Sequence, residues 1–137
     1  MKSIQEKRGL KRWVGKGDCY EANFILMTQM HNEGIDCQLV HGIITAPDWF
    51  THMRAGTEFM HAWVEANHPK HGWTVCDASL CEGTDRAFTI HSLSLFYDGM
   101  KVKREVKMSP HVALMMFNKY GWFGNWDLHP SHGRCKL

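Results

Sequence analysis

The sequence predicts an α+β fold, in which one central helix packs on a small antiparallel sheet. Residues 19–32 carry apolar side chains on more than one side of a helix, which is typical of a buried helix. Residues 37–45, 59–66 and 73–77 are rich in β-branched and aromatic side chains, as strands are. A chain of 137 residues that is 44% apolar is also large enough for one domain with its own core.

We expect the whole chain (1–137) to form a single domain with three parts. These are a basic N-terminal arm at 1–16, a core at 17–80, and a C-terminal part at 81–137 with helices and an edge strand. The arm holds six Lys and Arg residues against one acidic residue, while the net charge of the chain is only +2. The arm has no interleaved aromatic residue besides Trp13, so we do not expect a nucleic-acid partner.

The composition excludes several other classes of protein. No apolar leader or membrane-spanning run is present, so we expect a cytoplasmic protein with no membrane partner. The cysteines are odd in number and form no CxxC pair, which argues against a disulfide framework and against a zinc knuckle. They are Cys19, Cys37, Cys76, Cys81 and Cys135. Ten histidines occur without an HExxH motif, so we expect neither a metal nor another cofactor.

The central helix has a predicted beginning and end. Asp18 can cap its N-terminus, with Glu21 three residues later, and Gly34 follows its last turn. The strand at 37–45 comes next. The segment 46–57 contains turn formers and is a candidate lid or substrate edge.

The next two strands, 59–66 and 73–77, are joined by a segment of turn formers and therefore predict a hairpin. A hairpin centred near Pro69 pairs residues that are equidistant from that centre. The predicted pairs are His61 with Asp77, Trp63 with Val75, and Glu65 with Trp73. Directly opposed Cβ atoms lie about 5 Å apart, so the Asp77 carboxylate would reach the His61 ring.

The C-terminal part has a less regular pattern. Residues 81–86 are predicted to form a loop, and residues 87–97 fit either a helix or a strand. Residues 101–107 predict a charged edge strand. Residues 109–118 predict a helix that Ser109 caps, with Pro110 at its first position.

Three side chains combine in a pattern that carries chemistry. Cys19 lies at the first turn of the predicted helix, where unpaired backbone N–H groups and the helix dipole favour a thiolate. A neutral histidine can take the thiol proton, and a carboxylate behind the histidine fixes its tautomer and stabilises the imidazolium. His61 and Asp77 supply these two groups.

The same residues carry a resemblance to a known family. The runs GDCYEA (17–22), HAWVE (61–65) and WTVCD (73–77), in that order, resemble the three motifs of the transglutaminase-like superfamily, which has a papain-like fold. The run CYEAN also resembles the cysteine motif of the arylamine N-acetyltransferases. The layout, including the aromatic tail at 121–127, is similar to small phage-encoded relatives. The chain departs from the family pattern after Asp77, where Ala78 and Ser79 follow in place of the usual proline.

The resemblance implies a hydrolase or acyltransferase related to the thiol proteases, acting on a protein, peptide or other amide without a cofactor. Cys19 would be the nucleophile of a thioester acyl-enzyme, His61 the general base and acid, and Asp77 the residue that orients His61. The backbone N–H of Cys19 would be one oxyanion donor. Trp13 resembles in its spacing the upstream donor of papain-like enzymes, with Gln5 and Gln38 as alternatives.

One rival interpretation belongs to another class. A binding or structural module of viral origin could keep the same fold without turnover, although an intact set of three residues argues against it. The sequence alone does not distinguish hydrolysis from transfer, and it does not indicate the oligomeric state.

Overall fold

The computed structural model describes residues 19–49, 54–80, 88–124 and 126. The described elements, in chain order, are α1 (Cys19–Asn32), β1 (Cys37–Thr45), β2 (Glu58–His68), β3 (Gly72–Asp77), a short 3-10 turn (Ala78–Leu80), β4 (Thr89–Ser92), α2 (Leu93–Met100), β5 (Lys103–Met108) and α3 (Pro110–Tyr120). The strands form one antiparallel sheet in the order β4-β3-β2-β1-β5. The predicted α+β fold, with a helix on a small antiparallel sheet, is confirmed.

Helix α1 has the predicted bounds and is largely buried. Its chain reversal depends on Gly34, which has a φ of 79°, a conformation that favours glycine. The N–H of Ile35 then donates to the carbonyl of Met30 at 2.9 Å, which closes the last turn. The predicted cap, Asp18, lies outside the described residues.

Strand β2 is the middle strand, and its two faces contact different helices. Val64 and Ala66 belong to the same apolar cluster as Phe24 and Met27 of α1. Trp63 points the other way, because successive side chains alternate along a strand, and its ring contacts Phe96 of α2 at 5.0 Å between centroids. A helix therefore covers each face of the strand that carries His61.

The β2–β3 hairpin forms, but the predicted register is wrong by two residues. Glu65 pairs with Val75, and Asn67 pairs with Trp73, so the hairpin is centred on Lys70 and His61 is not directly opposite Asp77. The turn explains the difference. The ring nitrogen Nδ1 of His68 accepts hydrogen bonds from the backbone N–H groups of Lys70 and His71, and Gly72 reverses the chain with a φ of 71°.

A shift of two residues leaves every side chain on its predicted face, since side chains alternate with a period of two. His61 and Asp77 therefore still share a face, as diagonal rather than direct neighbours. Their contact is retained for that reason.

The segment 87–97 divides into two elements at Ser92. Residues up to and including Ser92 pair with β3, and the Ser92 hydroxyl accepts the N–H of Leu95 to begin α2. The predicted edge strand is confirmed as β5, which pairs with β1 at one side of the sheet. The predicted α3 is also confirmed, with the Ser109 hydroxyl accepting the N–H of Val112 and Pro110 as the first residue.

The segment 46–57 closes on itself where the structure describes it, because the N–H of Ala46 donates to the carbonyl of Thr57 at 2.8 Å. Residues 50–53 and the predicted loop at 81–86 lie outside the described residues, as does the basic arm. None of the helices described is both long and apolar enough to cross a membrane.

Candidate active site

His61 and Asp77 form a buried pair at the centre of the sheet. Nε2 of His61 lies 2.6 Å from Oδ2 of Asp77, and neither side chain has exposed surface. Because Nε2 bonds to the carboxylate, proton exchange between His61 and a thiol would take place at Nδ1. The hydrogen bond to the Asp77 carboxylate thus determines which ring nitrogen of neutral His61 carries the proton.

Asp77 is held as a carboxylate. Burial opposes its ionisation, but the charge and hydrogen bond of His61, with hydrogen bonds from Ser79 and Asn23, outweigh burial and lower the pKa of Asp77. The second carboxylate oxygen, Oδ1, accepts the backbone N–H of Ser79 at 2.9 Å and its hydroxyl at 2.6 Å. Both oxygens of Asp77 therefore have donors.

Cys19 is the first residue of α1 and has no exposed surface. It lies in the apolar cluster that also contains Phe59, Ala62 and Trp63 of β2, the neighbours of His61 along the strand. Its place at a helix N-terminus favours a thiolate.

Asn23 links the three elements that carry Cys19, His61 and Asp77. Its side-chain nitrogen lies 3.0 Å from the carbonyl of Cys19, 2.9 Å from the carbonyl of Ala62 and 3.0 Å from Oδ1 of Asp77. Its side-chain oxygen accepts the N–H of Ala78 at 2.8 Å. One buried amide thus connects the first turn of α1 to the backbone beside His61 and to the end of β3.

This network gives a physical meaning to the departure from the family pattern after Asp77. A proline has no backbone N–H, so a proline at position 78 would remove the hydrogen bond from Ala78 to Asn23. The N–H and hydroxyl groups of Ser79 are likewise used, since both donate to Asp77. Ser79 therefore holds the carboxylate directly, and Ala78 holds it through Asn23.

The other two described cysteines lie in a different environment. Cys37 and Cys76 are buried in the core between α1 and the sheet. Burial, and then the charge of Asp36, raises the pKa of Cys37 to about 11. Burial raises the pKa of Cys76 to about 12. Both are therefore poor thiolates at neutral pH.

The described residues include only one of the three candidate side-chain oxyanion donors, Gln38. Trp13 and Gln5 lie outside them. Gln38 is on β1, and its side-chain nitrogen lies 3.3 Å from Oε1 of Glu65, so that the amide is directed to that carboxylate. No group of three or more His, Cys, Asp or Glu side chains could hold a metal ion in the described part of the chain.

Asn23 is a supporting residue of the site for which the sequence predicted no role. Asn23 lies within the buried helix, and a buried polar side chain requires partners, which was the signal available. His41 lies on β1 opposite Ala62 and contacts the Tyr20 ring edge-on at 4.8 Å. Burial, and then the electrostatic effect of His61, lowers the pKa of His41 to about 3, so this ring is neutral.

A thiol at a helix N-terminus, a buried histidine and a carboxylate paired with it are the parts that cysteine-dependent acyl-transfer enzymes use. The sequence model of the Transglutaminase-like superfamily matches residues 7–78. The chain belongs to that superfamily, and membership indicates cysteine-dependent catalysis in general. Comparison with curated proteins and with solved structures returned no match.

Proposed function

We propose that the protein is a cysteine-dependent enzyme that cleaves or transfers the acyl group of an amide, with Cys19 as the nucleophile. The observation that carries the proposal is the buried His61–Asp77 pair, joined through Asn23 to the helix turn that begins with Cys19. Superfamily membership over residues 7–78 supports the same chemistry.

In the first step, the Cys19 thiol gives its proton to Nδ1 of His61, and the thiolate attacks the substrate carbonyl carbon. The tetrahedral intermediate then expels the amine, which takes the proton from His61, and a thioester to Cys19 remains. Asp77 stabilises the imidazolium throughout, because it keeps its negative charge beside Nε2.

In the second step, His61 takes a proton from the incoming nucleophile, which attacks the thioester carbonyl carbon. The bond from that carbon to the Cys19 sulfur then breaks, and the departing thiolate takes the proton back from His61. Water gives a carboxylic acid and a free thiol, whereas an amine gives a new amide. We favour hydrolysis of a peptide or other amide, and we place the reaction in the cytoplasm, where thiols stay reduced.

The test is acylation of Cys19 by p-nitrophenyl acetate, followed by intact mass and peptide mapping. We expect a single acetyl group on Cys19 that is absent in Cys19→Ser and strongly reduced in His61→Ala. His71→Ala, at an exposed turn histidine, is the matched control and should acylate as the wild type does.

A second readout is a short iodoacetamide pulse at about pH 6, where ordinary thiols are almost wholly protonated. Cys19 should be labelled first, and its rate should fall in His61→Ala. Equal rates in wild type and His61→Ala would contradict the proposal.

The alternative is a binding or structural module that keeps the fold without turnover. One observation favours this alternative. Cys19 has no exposed surface, which is typical of a cysteine with a purely structural role. Absence of acylation on Cys19, in a protein that is folded by circular dichroism, would select this alternative.

A further inference from the structure

Glu65 is a buried carboxylate on the same face of β2 as His61, and its four hydrogen bonds come from four different side chains. Oε1 lies 3.3 Å from the Gln38 amide nitrogen and 3.0 Å from the Lys107 ammonium. Oε2 lies 3.1 Å from the indole nitrogen of Trp63 and 2.5 Å from the Tyr97 hydroxyl. Four donors match the acceptor sites of an ionised carboxylate.

One of those donors connects Glu65 to the candidate site. The Trp63 indole is nearly parallel to the His61 ring, with an angle of 26° and centroids 6.1 Å apart. The indole also contacts Phe96 and Tyr97 of α2. The Trp63 ring therefore has both His61 and α2 as neighbours, and its polar edge is bonded to Glu65.

The neighbouring strand leaves little freedom for this ring. Gly42 is the β1 partner of His61, and a Cβ atom at Gly42 would lie 2.8 Å from the far edge of the Trp63 indole. Real Cβ atoms do not approach that closely, so only glycine admits the ring in this place. Backbone and carboxylate thus hold the indole from opposite ends.

We propose that Glu65 is a positioning residue: it holds the Trp63 indole against His61 and so fixes the ring orientation in which Nε2 faces Asp77. The proposal rests on the proposed function of Cys19 and His61, and it adds a role for the C-terminal part of the chain. Tyr97 of α2 and Lys107 of β5 lie beyond residue 78, where the superfamily match ends, and both complete the bonding of Glu65.

The main test compares two glutamates of the same strand. Glu65→Gln keeps the shape but replaces one acceptor oxygen by a donor, which leaves buried donors without partners. Glu58→Gln is the matched control, because Glu58 is half-exposed and pairs with the half-exposed Lys103 at 2.6 Å. We expect the Cys19 alkylation rate to fall about tenfold in Glu65→Gln, because a small misplacement of a catalytic group lowers the rate strongly. In Glu58→Gln the rate should stay within about twofold of the wild-type rate.

The second readout is the side-chain ¹⁵N spectrum of His61, which reports its tautomer and hydrogen bonding and does not need a substrate. We expect both His61 nitrogen resonances to move in Glu65→Gln and in Tyr97→Phe, and to keep their wild-type positions in Glu58→Gln. Lys107→Met and Lys103→Met form a further matched pair on β5. Only Lys107→Met should move the His61 nitrogen resonances.

The outcomes are separable. Unchanged His61 resonances and Cys19 rates in Glu65→Gln and Tyr97→Phe, with only a lower unfolding midpoint, would overturn the positioning role and leave the proposed function intact. If Glu65→Gln does not fold, Tyr97→Phe decides by the same two readouts. Equal Cys19 alkylation rates in the wild type and in His61→Ala would overturn the proposed function. In that case the ¹⁵N resonances would still test whether Glu65 positions the His61 ring.

Discussion

The two faces of β2 are equally buried but chemically opposite. The face towards α1 carries Ala62, Val64 and Ala66, whereas the other face carries His61, Trp63 and Glu65. An alternation of apolar and polar residues usually marks a strand with one side in water. Here, the polar side is covered by α2, and each of its charged groups has a specific partner. The polar residues 61, 63 and 65 are therefore held by specific hydrogen bonds and ion pairs, whereas the apolar residues 62, 64 and 66 are held by packing.

The largest effect is expected from a charged substitution on the apolar face of β2. Val64→Asp places a carboxylate with no cation or donor in the cluster shared with α1, and an uncompensated buried charge costs more than most domains have in stability. We expect an unfolded protein by far-ultraviolet circular dichroism. Val112→Asp, the same change at an exposed valine of α3, is the control and should fold.

The second prediction concerns an isosteric change at Asp77, the partner of His61 on the polar face. In Asp77→Asn, the amide N–H donates to Nε2 of His61, so the ring proton moves to Nδ1, which can no longer accept the thiol proton. We expect normal folding and a loss of about 10⁴-fold in Cys19 acylation, as in comparable triads. The exposed Asp98→Asn on α2 serves as control. Wild-type turnover in Asp77→Asn would remove Asp77 from the mechanism.

The third prediction concerns Asn23, which joins the two faces. Asn23→Ala leaves the Ala78 N–H and the Ala62 carbonyl without their partner and removes a donor from Asp77. We expect a loss of about 3 kcal/mol in the free energy of unfolding, measured by urea titration. Gln29→Ala, on the partly exposed side of the same helix, should lose far less. A loss below that of Gln29→Ala would show that this amide does not join the elements.

The fourth and smallest prediction concerns His41, a polar residue on the α1-facing side. Its folded pKa, about 3, is below the unfolded value of about 6.5. The unfolded chain therefore binds a proton that the folded one does not, and stability is lost as the pH falls below about 6.5. His41→Phe fills the same site between aromatic rings and cannot bind a proton.

We expect urea titrations between about pH 6.5 and 4.5 to show about 2 kcal/mol less loss of stability in His41→Phe than in the wild type. His111→Gln, at an exposed histidine of α3, should retain the wild-type slope. Parallel slopes for His41→Phe and the wild type would mean that the buried ring is not the group that titrates.

Local signals made much of the fold predictable. The bounds of α1 and β1 follow from a glycine stop and from a continuous β-forming run, and Ser109 with Pro110 marks the start of α3. The hairpin register was not predictable from residue types, because a side chain of the hairpin, His68, shapes the turn. Residues 87–97 fitted both structures since they contain both.

The sequence indicates candidate members of the site, whose roles stay a prediction, but it does not indicate the side chains that hold them in place. The order and spacing of Cys19, His61 and Asp77 appear in the sequence, whereas the partners of Asn23 and Glu65 come from segments far apart in the chain. Such contacts follow from tertiary packing, which no local pattern encodes.

The complete burial of Cys19 has a kinetic consequence. A reagent can meet the sulfur only during excursions from the described conformation, so access becomes a first-order event that precedes the bimolecular one. At low reagent concentration the labelling rate rises in proportion to concentration, and at high concentration it levels off at the opening frequency. The same frequency would set how long a thioester survives before water arrives, so that the lifetime of the acyl-enzyme would be governed by a motion and not by the reactivity of its bond.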